Sequence, residues 1–402
     1  MRYAFLTALV PEQMDERVRA LSKNNMQDAA NALQWNIWRG LYKNLGQEIR
    51  IFNILPIGSF PQYYKKAFVK QSRFATEASD KNINIGFCNV KLIRKFRQPK
   101  KIFSCLSKWC AEDDEEKTLF VYTASAVFLN ALEKLKRDHP ELRVITVVAD
   151  LPDMSSLASN QSAVKRLFQK YLSDSAYSKL SVVDGFVLLT KQMADYMKLT
   201  VPYCVMEGIA SCPPTVKPAD TSEIKTVLYT GTLHRRFGII GLLEAFKLTK
   251  SEKYRLVICG IGDSEEDVRR ASEQDKRIIF KGQLTRDDAL ELQRQATVLV
   301  NPRQNNEEFT KYSFPSKTME YLASGVPLVA YKLDGIPDDY DEYINYVPDN
   351  LPAALAEKLT EILEMPEEER RVMGEKGRAF VLENKNADVQ TRRILEFIKE
   401  NF

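Results

Sequence analysis

Lys317 and Glu320 stand three residues apart in the stretch SFPSKTMEYLASGVPLVAY, residues 313–331. A cation and a carboxylate at i and i+3 share one side of the first two turns of a helix. Near a helix N-terminus, with its unpaired backbone N–H groups and positive dipole end, such a pair has two readings. One is an exposed ion pair on a surface helix. The other is a cation offered to a phosphate beside a carboxylate offered to a sugar hydroxyl.

Other residues could join that chemistry. The loop GTLHRRFG, Gly231 to Gly238, follows an apolar run and opens a helix, so its N–H groups with Arg235 or Arg236 could hold a diphosphate. The alternative is a plain turn carrying two solvated arginines. The loop lacks the Gly-Lys-Ser/Thr ending of a Walker motif, and Gly260 and Gly262 in GIGDSE lack the third glycine of a dinucleotide fingerprint. Those two glycines read as a tight strand exit that would let a ligand approach the backbone. Asp150 closes the apolar run VITVVAD and either orients an acceptor hydroxyl or makes an Asx-type turn before Pro152. Of the acidic clusters Glu112–Glu116 and Asp338–Glu342, the former reads as a solvated loop. Six cysteines without zinc spacing, and only His139 and His234, argue against a metal site; no cofactor is expected.

The elements that must position these residues are legible. Pro315 suits a first helical turn, Ser316 can cap, and Gly325 ends the helix after Met319, Leu322 and Ala323 have made an apolar stripe. Val326–Ala330 then reads as a buried strand. Further strands are expected at 226–229, 254–259, 278–281 and 297–300, with helices starting near Gly238, Ser264, Thr285 and Ser316. Ser264 with Asp267, and Thr285 with Asp288, look like capping boxes with Asp in place of Glu. The first half alternates similarly, with strands expected at 2–9, 49–55, 118–123, 143–149, 185–189 and 203–206. This is the pattern of α/β, doubly wound parallel sheets.

At 402 residues the chain is long for one core, and SCPPTVKPADTSE reads as a linker. The expected division is a first domain over 1–210, a linker over 211–222, a second domain over 223–383, and a C-terminal helix over 384–402 able to pack back on the first. Two such sheets would set their strand C-terminal ends on two walls of one cleft. An apolar share of 44% with 28% charged residues, and no apolar run of 18, describes a globular chain that does not span a bilayer. The opening residues read as a strand and not a signal peptide, so the cytosol is the expected location. Residues 1–200 hold 30 Lys+Arg against 20 Asp+Glu, and residues 201–402 hold 28 against 34. The first half therefore seeks something anionic. KLIRKFRQPKK, residues 91–101, mixes six basic residues with Leu92, Ile93 and Phe96, and is either a membrane-surface element or a solvated basic face.

The motifs YTGTLHRRFG, LVICGIGD, IIFKGQL, LVNPR and SFPSKTMEYLASGVPLVAY, in this order, resemble glycosyltransferases of the GT-B fold, family 4 in particular. The resemblance covers most of the second half, with fainter echoes in YCVMEGIA and VITVVADLP. It implies two Rossmann-like domains and a retaining, metal-independent transfer from a nucleotide-diphospho-sugar, with UDP-sugars favoured. The acceptor would be a glycan or a lipid-diphosphate-linked sugar of cell-surface polysaccharide synthesis, reached from the inner face of the membrane; no nucleic acid is implied. Glu320 matches the ribose-binding glutamate, Lys317 a basic residue near the diphosphate, and Gly282, Gln283 and Leu284 the segment that meets the base. Gly231, Thr232, Gly260, Gly262 and the run Tyr312, Ser313, Phe314, Pro315, Ser316 fall in the same nucleotide-sugar site. Lys317, Arg236 or Arg235, and Asp150 would carry the chemistry. Three positions depart from the family pattern: Tyr312 replaces a glutamate at the donor sugar, Thr232 an arginine and Phe237 a lysine. Ala149 also stands where a histidine is common. Competing readings are an epimerase or phosphorylase on the same fold, or a nucleotide-sugar-binding partner subunit without turnover.

Overall fold

A computed structural model describes residues 1–23, 27–151, 177–211 and 223–402. Its contacts divide the chain into two compact units, Met1–Glu207 with Ala387–Phe402, and Gly208–Asn386. The sequence boundaries were set at 210 and 384, and nearly all of the proline-rich linker, 212–222, lies outside the described residues.

The first unit carries β1 (Arg2–Thr7), β2 (Ile49–Asn53), β3 (Phe68–Val69), β4 (Ser72–Thr76), β5 (Ser79–Asn84), β6 (Phe87–Cys88), β7 (Lys117–Tyr122), β8 (Arg143–Val148), β9 (Gly185–Leu188) and β10 (Tyr203–Val205). Eight of these form one sheet in the order β10-β9-β8-β7-β1-β2-β5-β4, parallel except where β4 meets β5. β3 and β6 make a separate antiparallel ribbon. The six long-range parallel strands stand where their apolar runs place them. β3 to β6 carry no such run, and β5, SDKNIN, joins the sheet partly through side-chain amides. Asn82 accepts from the N–H of Ile51 at 2.8 Å, and Asn53 donates to Asn84 at 3.0 Å.

The structure adds to two readings of this unit. The Glu112–Glu116 cluster is not simply a solvated loop: Glu112 pairs with Arg50, Asp113 with Lys117, and Glu115 with Arg2 and the chain's amino group. These contacts clamp the start of β1 to that of β7. The basic stretch 91–101 is the first half of a helix, Lys91–Cys110, with Pro99 inside it. Leu92, Ile93 and Phe96 are exposed on it, whereas Arg94 turns inward, donating to the Ile57 carbonyl at 2.7 Å and lying 4.9 Å from the Phe87 ring centroid. Burial pulls the Arg94 guanidinium pKa down.

The final helix, Ala387–Asn401, packs on helix Asp28–Leu45. Asn44 donates to the Asp388 carbonyl at 2.8 Å and to the Thr391 hydroxyl at 2.9 Å. The approach is close at Gly40, where a Cβ would stand 2.3 Å from the Ala387 carbonyl oxygen.

The second unit is a single six-stranded parallel sheet, β11 (Lys225–Thr230), β12 (Tyr254–Cys259), β13 (Ile278–Gly282), β14 (Val298–Asn301), β15 (Leu328–Ala330) and β16 (Asn345–Tyr346). Its spatial order is β13-β12-β11-β14-β15-β16. The chain therefore steps outward one way from β11 and then returns to start the other way at β14, which makes the carboxyl ends of β11 and β14 the topological switch point. Val227, Ile258, Val298 and Val329 of the strands pack with Phe246, Leu359 and Ile362 of the covering helices. Thr285 caps its helix by accepting from the N–H of Asp288 at 3.2 Å. Ser264 does not cap: its hydroxyl meets Asp263, while Asp267 is taken by Arg235. The helix starts at Ser316 as expected, but Pro315 is its N-cap and Ser316 does not cap it. Among the described residues no helix is long and apolar enough to cross a membrane.

Gly40→Ala forces a methyl group into the Ala387 carbonyl and is expected to lower stability by about 1–3 kcal/mol, the scale of an overpacked core. Gly241→Ala, at a helical site open to at least 4 Å, serves as the control and should be neutral or stabilising. Chemical denaturation that found Gly40→Ala as stable as its parent would mean that the last helix is not seated on Gly40.

Candidate active site

Strand β11 delivers Gly231, β12 delivers Gly260 and β13 ends in Gly282, at the same edge of the sheet. The exits are hydrogen-bonded in a row: Gly231 donates to the Cys259 carbonyl at 2.9 Å and Gly260 to the Gly282 carbonyl at 2.7 Å. At Gly260, φ is +141°, and a Cβ would fall 1.7 Å from the Gly231 carbonyl oxygen. A side chain there would force the two exits apart, so the edge stays bare backbone.

The loop from Gly231 to Gly238 is held to the loop after β12. Leu233 donates to the Ile261 carbonyl at 2.9 Å, Ser264 to the Leu233 carbonyl at 2.8 Å, and the N–H of Arg235 to the Asp263 carboxylate at 2.8 Å. The Arg235 guanidinium pairs with Asp267. It is thus committed to the next helix. Arg236 makes no ion pair among the described residues; it lies 5.1 Å from the Phe237 and 5.2 Å from the Phe309 ring centroid. The loop closes at Gly238, whose φ of +81° and 1.9 Å approach to the Pro302 carbonyl exclude any larger residue.

Helix Ser316–Ala323 brings in the charged pair. Lys317 Nζ lies 2.7 Å from Glu320 Oε1, and the Lys317 stem passes 3.6 Å from where a Gly231 Cβ would be. Gln293, fully buried, donates to the same Glu320 oxygen at 2.7 Å and to the Thr230 hydroxyl at 2.9 Å. Glu320 Oε2 has no protein partner among the described residues. The Tyr321 hydroxyl donates to the Thr230 carbonyl and accepts from its N–H, both at 2.9 Å. Burial alone would raise the Glu320 pKa, but the charge and hydrogen bond of Lys317, with the bond from Gln293, bring it below the ordinary glutamate value.

The structure thus brings Lys317, Glu320, Gly231, Gly260 and Gly282 to one sheet edge, with Arg236 on the loop that leaves it. Gln283 and Leu284 follow Gly282, the former exposed and the latter half-buried. Gly262 packs under the Leu233 carbonyl, and Thr232 is exposed, with its carbonyl accepting from Tyr229. Tyr312 is half-buried near Glu308, the Ser313 hydroxyl accepts from Arg303 at 3.0 Å, and Phe314 is buried against Tyr340. Asp150 belongs to the first unit, two residues past β8. Its side chain reaches solvent, yet the protein crowding it elsewhere raises its carboxyl pKa.

Two residues escaped the sequence reading. Gln293 is a polar side chain on the core face of helix Arg286–Gln295, a position where only a polar partner explains burial. Arg303 lies two residues past β14, where strand exits of a parallel sheet meet ligands. It is 8% exposed.

Residues 217–400 match the family model of glycosyl transferases group 1. Solved structures match over essentially the whole chain. Sucrose-phosphate synthase from Thermosynechococcus elongatus is 16% identical with a TM-score of 0.65, over 100% of this chain and 99% of that one. The lipopolysaccharide outer core galactosyltransferase WaaB is 12% identical at 0.63, over 100% of both. An E. coli protein described as trehalose-6-phosphate bound with UDP-2-fluoro glucose is 10% identical at 0.65, over 99% of both. The stretch from 217 to 400 is thus a region of the glycosyl transferases group 1 type, and over the whole chain the likeness is one of fold. The chain's two units are the two Rossmann-like lobes of the GT-B fold. Comparison with curated protein sequences finds no match. The matched region takes in the whole bare sheet edge and the Lys317–Glu320 helix. Among the described residues no group of three or more His, Cys, Asp or Glu side chains is placed to hold a metal ion.

Because Glu320 titrates below its ordinary 4.5 in the folded chain, its carboxylate stabilises the fold above that pH, and the contribution is lost as pH falls through the lower folded value. Without donor, the melting-temperature difference between the parent and Glu320→Gln should be largest at neutral pH and shrink below pH 4.5. A difference that stays constant with pH would show that Lys317 and Gln293 do not hold the carboxylate charged.

Proposed function

We propose that the chain is a retaining, metal-independent transferase that moves a sugar from a nucleotide-diphospho-sugar to a glycan or lipid-linked acceptor in cell-surface polysaccharide synthesis. The observation that carries this reading is the Lys317–Glu320–Gln293 assembly at the switch point of the second unit, beside the backbone edge of Gly231. Glu320 keeps one oxygen for Lys317 and Gln293 and has the other to accept from a ribose hydroxyl. Lys317 and the start of its helix present positive charge to the diphosphate. The base would lie along Gly282–Leu284, and Tyr312 to Ser316 would face the donor sugar. A UDP-sugar is favoured, in keeping with the UDP-2-fluoro glucose of one structural relative.

In the transfer, the bond between the sugar C1 and the phosphate oxygen breaks while C1 bonds to the acceptor hydroxyl oxygen on the same face. The hydroxyl proton passes to the departing phosphate oxygen. Charge grows on that phosphate, so Lys317 and Arg236 act most strongly in the transition state. The first unit takes the acceptor, with Asp150 at the end of β8 orienting its hydroxyl. Likeness to a lipopolysaccharide galactosyltransferase supports an acceptor of the cell surface.

The first unit also has a surface suited to an anionic bilayer. Leu92 is 71% exposed, Phe96 68% and, on β3, Phe68 71%. Residues 58–76 and 85–111, which include all three, hold eleven Lys or Arg and no Asp or Glu. Exposed apolar side chains among cations match the headgroup boundary of an acidic membrane, where a lipid-diphosphate-linked acceptor would lie. Arg94 is excluded from this surface by its inward contacts.

Glu320→Ala should weaken donor binding by roughly 1.5–3 kcal/mol, the scale of a hydrogen bond to a charged group, and raise the donor KM. Lys317→Ala should instead lower kcat by about a hundredfold. A folded Glu320→Ala protein with unchanged donor affinity removes the ribose assignment.

Changing Lys91, Lys95 and Arg97 together to Glu should abolish sedimentation with phosphatidylserine vesicles and slow transfer to a lipid-linked acceptor, while UDP-sugar binding stays unchanged. Binding by the parent should fade as salt rises. If the parent ignores such vesicles at low salt, the surface has another use.

A further inference from the structure

Arg303 is a buried cation without a buried anion. Its Nη2 donates to the Ser313 hydroxyl at 3.0 Å, and its Nε, buried as well, has no hydrogen-bond partner. The guanidinium lies 4.3 Å from the Phe309 ring centroid and 5.5 Å from that of Phe237, the same two rings that Arg236 covers. Neither arginine has a carboxylate within ion-pair distance among the described residues. Glu307 acts on Arg303 only from farther away. Burial, and then the charge of Arg236, pull the Arg303 pKa down to about 10. Two neighbouring guanidiniums, one of them desolvated, repel each other and cost stability until an anion arrives.

Their position says which anion. Arg303 leaves the carboxyl end of β14, and its charge acts on Tyr229 near the end of β11, so it stands at the switch point. The Tyr229 hydroxyl is 3.2 Å from where a Gly231 Cβ would be, and the Lys317 stem is 3.6 Å from the same point. Gly231 therefore lies beside both Lys317 and the Tyr229 hydroxyl. On the loop from Gly231 to Gly238, Arg235 is taken by Asp267, which leaves Arg236 as its cation without an ion pair among the described residues.

We propose that Arg303, with Arg236, binds the donor phosphate that carries the sugar and leaves with the nucleotide, supplying charge from β14 where Arg235 of the loop is held by Asp267. This rests on the nucleotide-sugar reading above. Arg303 grips the phosphate with its unpaired Nε–H and remaining Nη–H groups, while Phe309 and Phe237 keep the planar fork in place. Phe237 is a platform shared by the two guanidiniums.

The experiment compares UDP and UMP, which differ by the phosphate in question, on the full chain carrying Arg303→Met or Arg303→Lys, by isothermal titration. In the parent UDP should bind more tightly than UMP. Arg303→Met should reduce that preference at least tenfold with UMP affinity nearly unchanged, and Arg303→Lys should keep part of it. The donor-free melting temperature of Arg303→Met should not fall, because an unpaired buried charge has been removed; a structural arginine would lower it. An unchanged UDP-to-UMP preference in both variants overturns the assignment while leaving the donor reading intact, and equal losses for UDP and UMP overturn it too. Should Arg303→Met fail to fold, the preference measured on Arg303→Lys decides. If the parent binds no UDP, GDP or ADP, the nucleotide-sugar reading falls and this inference with it.

Discussion

The hydroxyl of Tyr321 fixes the donor side of this molecule. It sits in a fully buried ring, donates to the Thr230 carbonyl and accepts from the Thr230 N–H, so both of its hydrogen-bonding roles are met by one residue at the end of β11. An unmet hydroxyl there would cost on the order of 1–3 kcal/mol, so the helix cannot slide or turn cheaply. Once Tyr321 is pinned, the preceding Glu320 must meet Gln293, whose amide is tied to the Thr230 side chain. Lys317, one turn earlier, must lie along Gly231. The charged pair is therefore placed by a neutral contact behind it.

Bare backbone is the second constraint. Gly231, Gly260 and Gly282 are hydrogen-bonded neighbours at the strand exits, and the 1.7 Å clash that a Cβ at Gly260 would make leaves no alternative residue. The loop they begin is tied by Asp263 and Asp267, and those carboxylates occupy the N–H and guanidinium of Arg235. Adjacent arginines in the sequence thus acquire different duties. Arg235 anchors the loop, and Arg236 turns to the aromatic pair Phe237 and Phe309.

How much of this was legible follows from the same physics. Strands β11, β12, β14 and β15 of the second unit are buried along most of their length, and their apolar runs placed them to within one or two residues, whereas the half-buried β16 has no such run and was not expected. Helix Ser316–Ala323 was readable from its proline, its stripe and the glycine beyond it. β5 was not, because buried asparagines join it to β2 by amide hydrogen bonds, which leave no hydrophobic period. Choosing between Arg235 and Arg236 required Asp267, which lies 32 residues from Arg235 in the chain. Gln293 and Arg303 stayed hidden for a related reason: a polar residue within an apolar face is informative only when its partner, or the lack of one, can be seen. Arg94 shows the converse, since a basic run looks uniformly solvated until one member is found turned inward.

The electrostatics of the second unit then acquire an order. Lys317 is neutralised at 2.7 Å by Glu320, so at long range the pair presents little net charge to an approaching dianion. Arg236 and Arg303 have no ion-pair partner among the described residues, and their attraction reaches farther than that of a salt-bridged pair. On the proposed function, initial capture of a diphosphate would fall to the arginines. Lys317 can respond later, at contact distance, when growing charge on the phosphate competes with Glu320 for its ammonium group. A cation held in reserve by a carboxylate gives little in the ground state and more as the leaving group becomes a stronger anion, which is the differential binding that raises a rate. The Lys317–Glu320 spacing that first looked like surface decoration is, on this argument, the means of keeping the lysine's contribution for the step that needs it.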